Sequence, residues 1–281
     1  MQVPRHKIAF AAISFVVGLV LMYFVGSYLQ LRFGMLGLAL TEFFILGFAL
    51  LSTWASGLRF KQVFRVRRGR AREWVASLFV YLGAFFGALC VSYVLTLVSP
   101  ALVERGAQLN GFIMSGGMAV AFVAVSLLPG ICEEAWHRGY LLSSLGAIKG
   151  VVARVVIMGL VFGVFHLDSA RFFQTMVLGM ALSYMRIKTD NFVVPVVFHT
   201  LNNLISVLAA FAFAGLGSQL GGGDAGQAAQ AAQAALEGSS AALTLAVYLP
   251  LICFTLAMSL GFLALGRYYF KRVGAPQSPT T

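Results

Sequence analysis

Long apolar runs separated by short polar segments fill the chain from residue 8 to residue 265. Several runs reach the ~20 residues that a helix needs to cross ~30 Å of hydrocarbon. Backbone groups in lipid must be satisfied within their own segment, so these runs form helices, and the alternating pattern of a membrane barrel is absent. We predict about eight transmembrane helices, at residues 8–29, 35–57, 74–98, 118–145, 149–167, 172–187, 191–214 and 241–265.

The composition supports lipid as the solvent of this chain. Of its 281 residues, 60% are hydrophobic and only 10% are charged, whereas about a quarter of a soluble domain is charged. The apolar core of the first run is too long for a signal peptide, and no small-residue cleavage site follows it, so we predict an uncleaved helix. The predicted fold class is therefore all-α, a polytopic bundle of membrane helices.

The distribution of basic residues predicts how the bundle is oriented. With the N-terminus in the cytoplasm, inner segments hold 17 of the 20 Lys and Arg residues, and outer segments hold Arg32, Arg105 and Arg171. This asymmetry obeys the positive-inside rule and requires an even number of helices. We therefore predict cytoplasmic termini and an integral, multi-pass protein of the bacterial cytoplasmic membrane.

The positive-inside rule also accounts for the net charge of +11, so nucleic acid is not a predicted partner. The most basic stretch, residues 59–72, fits membrane topology and contact with anionic headgroups. Cys90, Cys132 and Cys253 lie far apart in apolar runs, without the spacing of metal ligands. We predict that the three cysteines are small core residues.

Ionisable residues inside a membrane span are costly and usually functional. The fourth span carries Glu133 and Glu134 near its middle, followed by Arg138. Neighbouring residues on a helix point ~100° apart, so the two acids cannot share one role. The i,i+4 spacing predicts a Glu134–Arg138 ion pair that leaves Glu133 facing a cavity. Pro129 and Gly130, just before the acids, should kink the helix.

Two other spans add histidines at compatible depths. The fifth span ends at His166, four residues after Phe162, and His199 lies about nine residues into the seventh. Asn203 follows His199 at i,i+4, so the two share one helix face. A carboxylate, two histidines and an amide at one depth favour a functional site formed by Glu133, His166, His199 and Asn203.

This set of residues suits peptide hydrolysis without a covalent intermediate. A carboxylate in low-dielectric surroundings holds a proton readily, so Glu133 could take a proton from water and later give it to a leaving amine. One histidine can orient the water. The other histidine and Asn203 can donate hydrogen bonds to the oxyanion of a tetrahedral intermediate.

Three alternatives stay open at this point. Two histidines and one carboxylate also form a familiar catalytic zinc set, although the HExxH helix is absent. The same residues could form the proton relay of a transporter, although no internal repeat indicates inverted halves. The third alternative is a non-catalytic binding or immunity protein on the same scaffold. Our first prediction is an enzyme without a cofactor.

The motifs resemble those of the CPBP family of intramembrane glutamate-type proteases, which includes CAAX prenyl endopeptidases and bacteriocin-processing or immunity proteins. The family pattern is Glu-Glu-x-x-x-Arg, then Phe-x-x-x-His, then His-x-x-x-Asn or Asp. In this chain the pattern stands as Glu133-Glu134 with Arg138, Phe162 with His166, and His199 with Asn203. The resemblance covers roughly residues 115–205.

The resemblance implies a role for each matching residue. It implies that Glu133 activates water together with His166, and that His199 and Asn203 form the oxyanion hole. It gives supporting roles to Glu134, Arg138 and Phe162. The implied substrate is a membrane-anchored or lipidated protein or peptide in the bilayer, processed in the CAAX manner or at a C-terminal anchor.

Two ionisable residues are predicted to lie outside this site. Trp136-His137 stands where family members often carry an apolar pair, and we favour a cytoplasm-facing His137 over a local addition to the site. Glu42 is near the start of the second span, so we predict a position close to the membrane interface.

Three parts of the chain follow from these observations. Residues 1–110 hold three helices and the basic cytoplasmic loop, residues 111–214 hold the catalytic transmembrane core, and residues 215–281 hold an outer loop, the last helix and the tail. The Gly-, Ala- and Gln-rich loop at 216–240 has no Lys or Arg, as expected of an outer segment. The tail after Arg272 is predicted to be disordered.

Overall fold

The described part of the chain is built from helices and contains no strand. The computed structural model describes residues 6–99, 109–221 and 241–273. Within these ranges the predicted all-α fold class is confirmed. Residues 222–240 of the predicted outer loop, the predicted disordered tail from residue 274 onward, and Arg105 lie outside the described residues.

The helices follow one another in the order predicted from the apolar runs. Their bounds are α1 (His6–Leu21), α2 (Ser27–Ala55), α3 (Phe60–Val63), α4 (Ala71–Val98), α5 (Gly117–Ala147), α6 (Val151–Phe165), α7 (Phe172–Thr189), α8 (Val193–Gly221) and α9 (Ala241–Val273). A π-helical turn joins α1 to α2 at Met22–Gly26. Helix α5 contains two further π-helical turns, at Phe122–Leu127 and Ala135–Leu141.

Helices α1 and α2 form an antiparallel hairpin that turns within α2. Gly34 has a φ of 55°, in the left-handed region that glycine adopts without a Cβ clash. Beyond the turn the chain runs back along itself. The hydroxyl oxygens of Ser14 and Ser52 lie 3.0 Å apart, and Lys7 Nζ donates to the carbonyl of Gly57 at 3.4 Å. The first two predicted spans are therefore the two arms of one hairpin.

Five segments of the described chain are long and apolar enough to cross a membrane. They are His6–Ala55, Ala71–Val98, Gly117–Ala147, Val193–Ala212 and Leu243–Arg272. The first of these segments contains both arms of the hairpin. Helix α6 is apolar but has only 15 residues. The protein is therefore an integral membrane protein, while the number of eight crossings and the cytoplasmic position of both termini stay predictions.

Helix α5 occupies the centre of the bundle, between the hairpin and α8. On one side Ala135 and Trp136 pack in a core with Ile45 of α2. On the other side Ala124 of α5 packs with Val207 of α8. Helix α9 packs along α4, and a third core joins α4 to α6, α7 and α8. This arrangement makes α5 a neighbour of every helix that carries a predicted site residue.

The basic loop before α4 is tied to the turn between α7 and α8. Arg65 pairs with Asp190 at 2.5 Å, and Arg67 pairs with Glu73 at 2.7 Å and also donates to the carbonyl of Thr189. The main chain joins here too, because the amide of Phe192 donates to the carbonyl of Arg65 at 2.8 Å. Part of the positive charge that we assigned to headgroup contact is therefore used inside the protein.

Candidate active site

A proline in α5 links this helix to α8. Pro129 has no N–H, so it cannot donate to the carbonyl of Val125 four residues earlier. That carbonyl accepts a hydrogen bond from Asn203 Nδ2 at 3.0 Å. The side-chain oxygen of Asn203 in turn accepts from Asn202 Nδ2 at 3.3 Å. The residue that disturbs α5 thus provides the acceptor that holds one predicted site residue in place.

A close approach of α5 and α8 lies one residue further on. A Cβ atom on Gly130 would lie 2.0 Å from Thr200 Oγ1. Only glycine allows this spacing, because any larger residue would push the two helices apart. Gly130 precedes Glu133 by three residues, and Thr200 follows His199 directly. The contact therefore brings the glutamate pair and His199 together.

Glu134 and Arg138 form the predicted ion pair. Arg138 Nη1 lies 2.5 Å from Glu134 Oε1, and both side chains are fully buried. Arg138 Nη2 donates to the carbonyl of Gly179 on α7 at 3.1 Å. The guanidinium also lies over the ring of Phe162, 4.3 Å from its centroid. The pair thus joins α5 to α6 and α7 and neutralises the buried charge of Glu134.

His199 lies between the two glutamates. Its Nδ1 is 2.9 Å from Glu134 Oε1, so Nδ1–H donates to that carboxylate. Its Nε2 is then directed to Glu133 Oε2, at 4.0 Å. Glu133 Oε2 is buried and has no hydrogen-bond partner. The two adjacent acids therefore differ in their surroundings, as their ~100° separation predicted: Glu134 is held in a network through Oε1, whereas Glu133 lines the cavity.

His166 is oriented by its own helix. Its Nδ1 lies 2.9 Å from the carbonyl oxygen of Phe162, which can only accept, so Nδ1 carries the proton. In the neutral ring Nε2 is then an unprotonated acceptor. The buried ring of Phe162 packs against both His166 and His199, with centroids 4.8 and 5.5 Å away. Phe162 therefore fixes both histidines through its ring and its carbonyl.

All four predicted catalytic residues line one cavity of about 720 Å³. The cavity lies between α2, α4, α5, α6, α7 and α8, and most of its wall is apolar. Glu133, His166, His199 and Asn203 are among its polar lining residues. The structure therefore places these residues together as the sequence predicted, although their roles are not tested by this placement.

The cavity also has polar residues that the sequence analysis did not assign to it. Asn202 is next to Asn203, and Arg171 and Gln174 stand at the start of α7. Gln174 Nε2 donates to Ser92 of α4 at 3.2 Å. The sequence shows Asn202 as a polar residue inside a predicted span, but Asn203 is the residue that completes the His-x-x-x-Asn motif. Gln174 was likewise a polar residue inside a predicted span, but neither Gln174 nor Arg171 belongs to one of the three motifs.

Glu42 lies in this cavity and not at the membrane interface, so our prediction for it was wrong. Only 3% of its surface is exposed, and it lines the same cavity as Glu133. The hairpin places α2 against the part of α5 that carries the glutamates. A signal was available, because Glu42 shares one helix face with Ile45 and Ala49, which are both buried.

His137 is fully buried, which corrects the prediction that it faces the cytoplasm. Its Nδ1 is 2.8 Å from the carbonyl of Glu133, and its ring meets those of Phe162 and Phe165 at 5.0 and 4.7 Å. The physical reason is that His137 stands four residues after Glu133 on the same side of α5, where α6 packs against it. His137 supports the main chain of Glu133 from behind the cavity.

No group of three or more His, Cys, Asp or Glu side chains within the described ranges is placed to hold a metal ion. Cys132 is buried next to Glu133 but does not line the cavity. The zinc alternative thus has no ready-made ligand cluster in this part of the chain, and it is a question for experiment.

Helices, membrane spans and a buried carboxylate–histidine site define a class of polytopic membrane protein with a site inside the bundle. Within this class, residues 115–205 match the family model described as type II CAAX prenyl endopeptidase Rce1-like. The resemblance predicted from the three motifs is thereby confirmed over the segment that we predicted. Over these residues the chain is similar to CAAX-type intramembrane endopeptidases, a family whose activity is proteolysis and whose substrates are membrane-anchored proteins. No curated protein and no solved structure matches the chain.

Proposed function

We propose that this protein is an intramembrane endopeptidase in which Glu133 activates water for peptide hydrolysis. The observation that carries the proposal is the unpartnered Glu133 Oε2, which lies 4.0 Å from His199 Nε2 in a large buried cavity. A carboxylate with a free oxygen in such a place can accept a proton. The match to the CAAX endopeptidase family supports the same reaction class.

In the first step a water molecule attacks the carbonyl carbon of the scissile peptide bond. Glu133 takes a proton from the water as the new C–O bond forms, and the carbonyl oxygen becomes an oxyanion. His166 accepts a hydrogen bond from the same water at Nε2, because its Nδ1 is held by the Phe162 carbonyl. In the second step the C–N bond breaks, and the proton on Glu133 passes to the leaving amine.

The oxyanion is stabilised by donors from α8. Asn203 Nδ2 has two hydrogens, of which one goes to Val125 and the other can face the cavity. His199 supplies a second donor at Nε2 when its ring carries both protons, and Glu134 then holds the Nδ1–H. Glu134, Arg138 and Phe162 are supporting residues, since they hold the rings and charges around the reacting atoms.

The substrate is a membrane-associated protein or peptide that is cut near a lipidated or transmembrane C-terminus. The cavity supports this proposal because its largely apolar wall accepts a chain that arrives from lipid, while Glu133, His166, His199 and Asn203 in the same cavity can contact a peptide bond. We place the enzyme in the bacterial cytoplasmic membrane. Prenylated proteins, C-terminal sorting anchors and secreted peptide precursors are the substrate classes to compare.

The proposal is tested by mapping protein C-termini in membranes. Cells that lack this protein are compared with cells restored by the wild type or by Glu133→Gln. We expect new C-termini only with the wild type, while Glu133→Gln reaches normal abundance, because glutamine keeps the shape of glutamate but cannot accept the proton. Normal turnover by Glu133→Gln would refute the mechanism. Absence of new termini with well-expressed wild type would favour the non-catalytic binding protein.

A further inference from the structure

Glu42 is a second carboxyl group in the reaction cavity, and it lies outside the segment that matches the family model. It stands on the returning arm of the hairpin, eight residues after the turn at Gly34. Its Oε2 is buried and has no hydrogen-bond partner. An acid buried in a membrane bundle without a partner is costly, and such residues usually have a function.

No cationic side chain among the described residues forms an ion pair with Glu42, because Arg171, which lines the same cavity, pairs with Asp168. Helix α5 contributes Cys132 and Glu133, both of which interact with Glu42 electrostatically. His166 and His199 face the same cavity from α6 and α8, and Arg171 lines it from the turn before α7. Within the described residues, no ion pair includes Glu42.

Two carboxyl groups in one low-dielectric cavity cannot both be ionised without a large cost, so one of them keeps a proton. Glu133 has His199 Nε2 4.0 Å from its free oxygen, whereas Glu42 has no such partner. The negative charge therefore belongs on Glu133, and the proton belongs on Glu42. A neutral carboxylic acid is a hydrogen-bond donor, and its partner in a peptide is a carbonyl oxygen.

We propose that Glu42 is a substrate-binding residue that acts in its neutral form, donating a hydrogen bond to a backbone carbonyl of the peptide in the cavity. This inference rests on the proposed function. It adds a binding contact from the hairpin to the cavity that the groups of α5 and α8 also line. It also assigns distinct roles to the two unpartnered acids of the cavity: Glu133 accepts a proton, and Glu42 donates a hydrogen bond.

The test compares a neutral mimic of Glu42 with apolar replacements in the full-length protein in cells. Glu42→Gln keeps the size of the side chain and a hydrogen-bond donor. We therefore expect the C-termini that the wild-type protein produces to form at a rate within about threefold of normal. Glu42→Leu and Glu42→Met remove the donor, so we expect a loss of about tenfold or more, as for one lost hydrogen bond. The Tm of the purified variants should not fall, because an apolar group replaces an unpaired buried acid.

Ser52→Ala is the matched control, since Ser52 is a buried polar residue on the same helix that bonds Ser14 and does not line the cavity. Its rate should equal that of the wild type. Normal rates in Glu42→Leu or Glu42→Met would overturn the inference, and so would a Glu42→Gln variant as slow as those two. Unfolding of both apolar variants would also overturn it, in favour of a structural role. Activity in Glu133→Gln would instead overturn the proposed function, so the two failures are distinguishable.

Discussion

Removal of Arg138 should destabilise the protein far more than removal of a partly exposed arginine in an ion pair of equal length. Arg138→Met deletes the 2.5 Å contact with Glu134 and the 3.1 Å contact with the Gly179 carbonyl. It leaves a buried carboxylate whose remaining partner is His199. Breaking one side of a buried pair costs about 3–5 kcal/mol. For a chain of this size that corresponds to a fall in Tm on the order of 10 °C.

The matched control is Arg65→Met. The Arg65–Asp190 pair is also 2.5 Å long, but its side chains are 31% and 33% exposed, against 0% for Arg138 and Glu134. An exposed pair contributes about 0–1 kcal/mol. Thermal unfolding of both variants in the same detergent, together with their yields from membranes, measures the difference. Equal shifts in the two variants would refute the argument from burial.

A double variant separates the effect of the lost Arg138 contacts from the effect of the unpaired charge on Glu134. Glu134→Gln combined with Arg138→Met removes both charges, so it should be more stable than Arg138→Met alone. It should still be inactive, because His199 loses its carboxylate. A double variant that unfolds at the temperature of Arg138→Met would show that the unpaired Glu134 charge is not the cause.

Two further predictions concern the geometry of the site and its need for metal. Gly130→Val should lower the rate of cleavage by about two orders of magnitude, because the new side chain meets Thr200 and displaces Glu133 from His199. Misplacement of a reacting group by ~1 Å lowers a rate by about this factor. A normal rate in a quantitative cleavage assay would show that α5 and α8 need not approach so closely. Treatment of the purified enzyme with a metal chelator should leave the rate unchanged, whereas a loss that zinc restores would establish the zinc alternative.

The motifs of the candidate site could be recognised in the sequence because local helix geometry and membrane depth act on single segments. The spacing of Glu134 and Arg138 fixed their pairing, since residues four apart are neighbours on any helix. Apolar runs fixed the helices, since backbone groups in lipid must bond within their segment. Similar depths in separate spans then brought Glu133, His166 and His199 to one level of the membrane.

The errors arose where a side chain's surroundings depend on a neighbouring helix or on the helix register. Glu42 looked interfacial from its distance to the start of its span, but the hairpin turn at Gly34 carries it against α5. His137 looked exposed from its place after the glutamates, but it is buried against Phe162 and Phe165 of α6. Neither the turn at Gly34 nor the packing of α6 on α5 is indicated by hydrophobic periodicity.

By itself, the sequence determined that this protein is a helical membrane protein, which polar residues stand within its spans, and which residues share a helix face. Only the tertiary structure decided which atoms of those residues form hydrogen bonds or ion pairs and which line the cavity. It held Glu134 in a network with Arg138 and His199, left Glu133 Oε2 free, and added Glu42 to the cavity. The physical reason is that periodicity specifies the direction of a side chain relative to its own helix, whereas hydrogen bonds and cavities depend on how two or more helices approach each other.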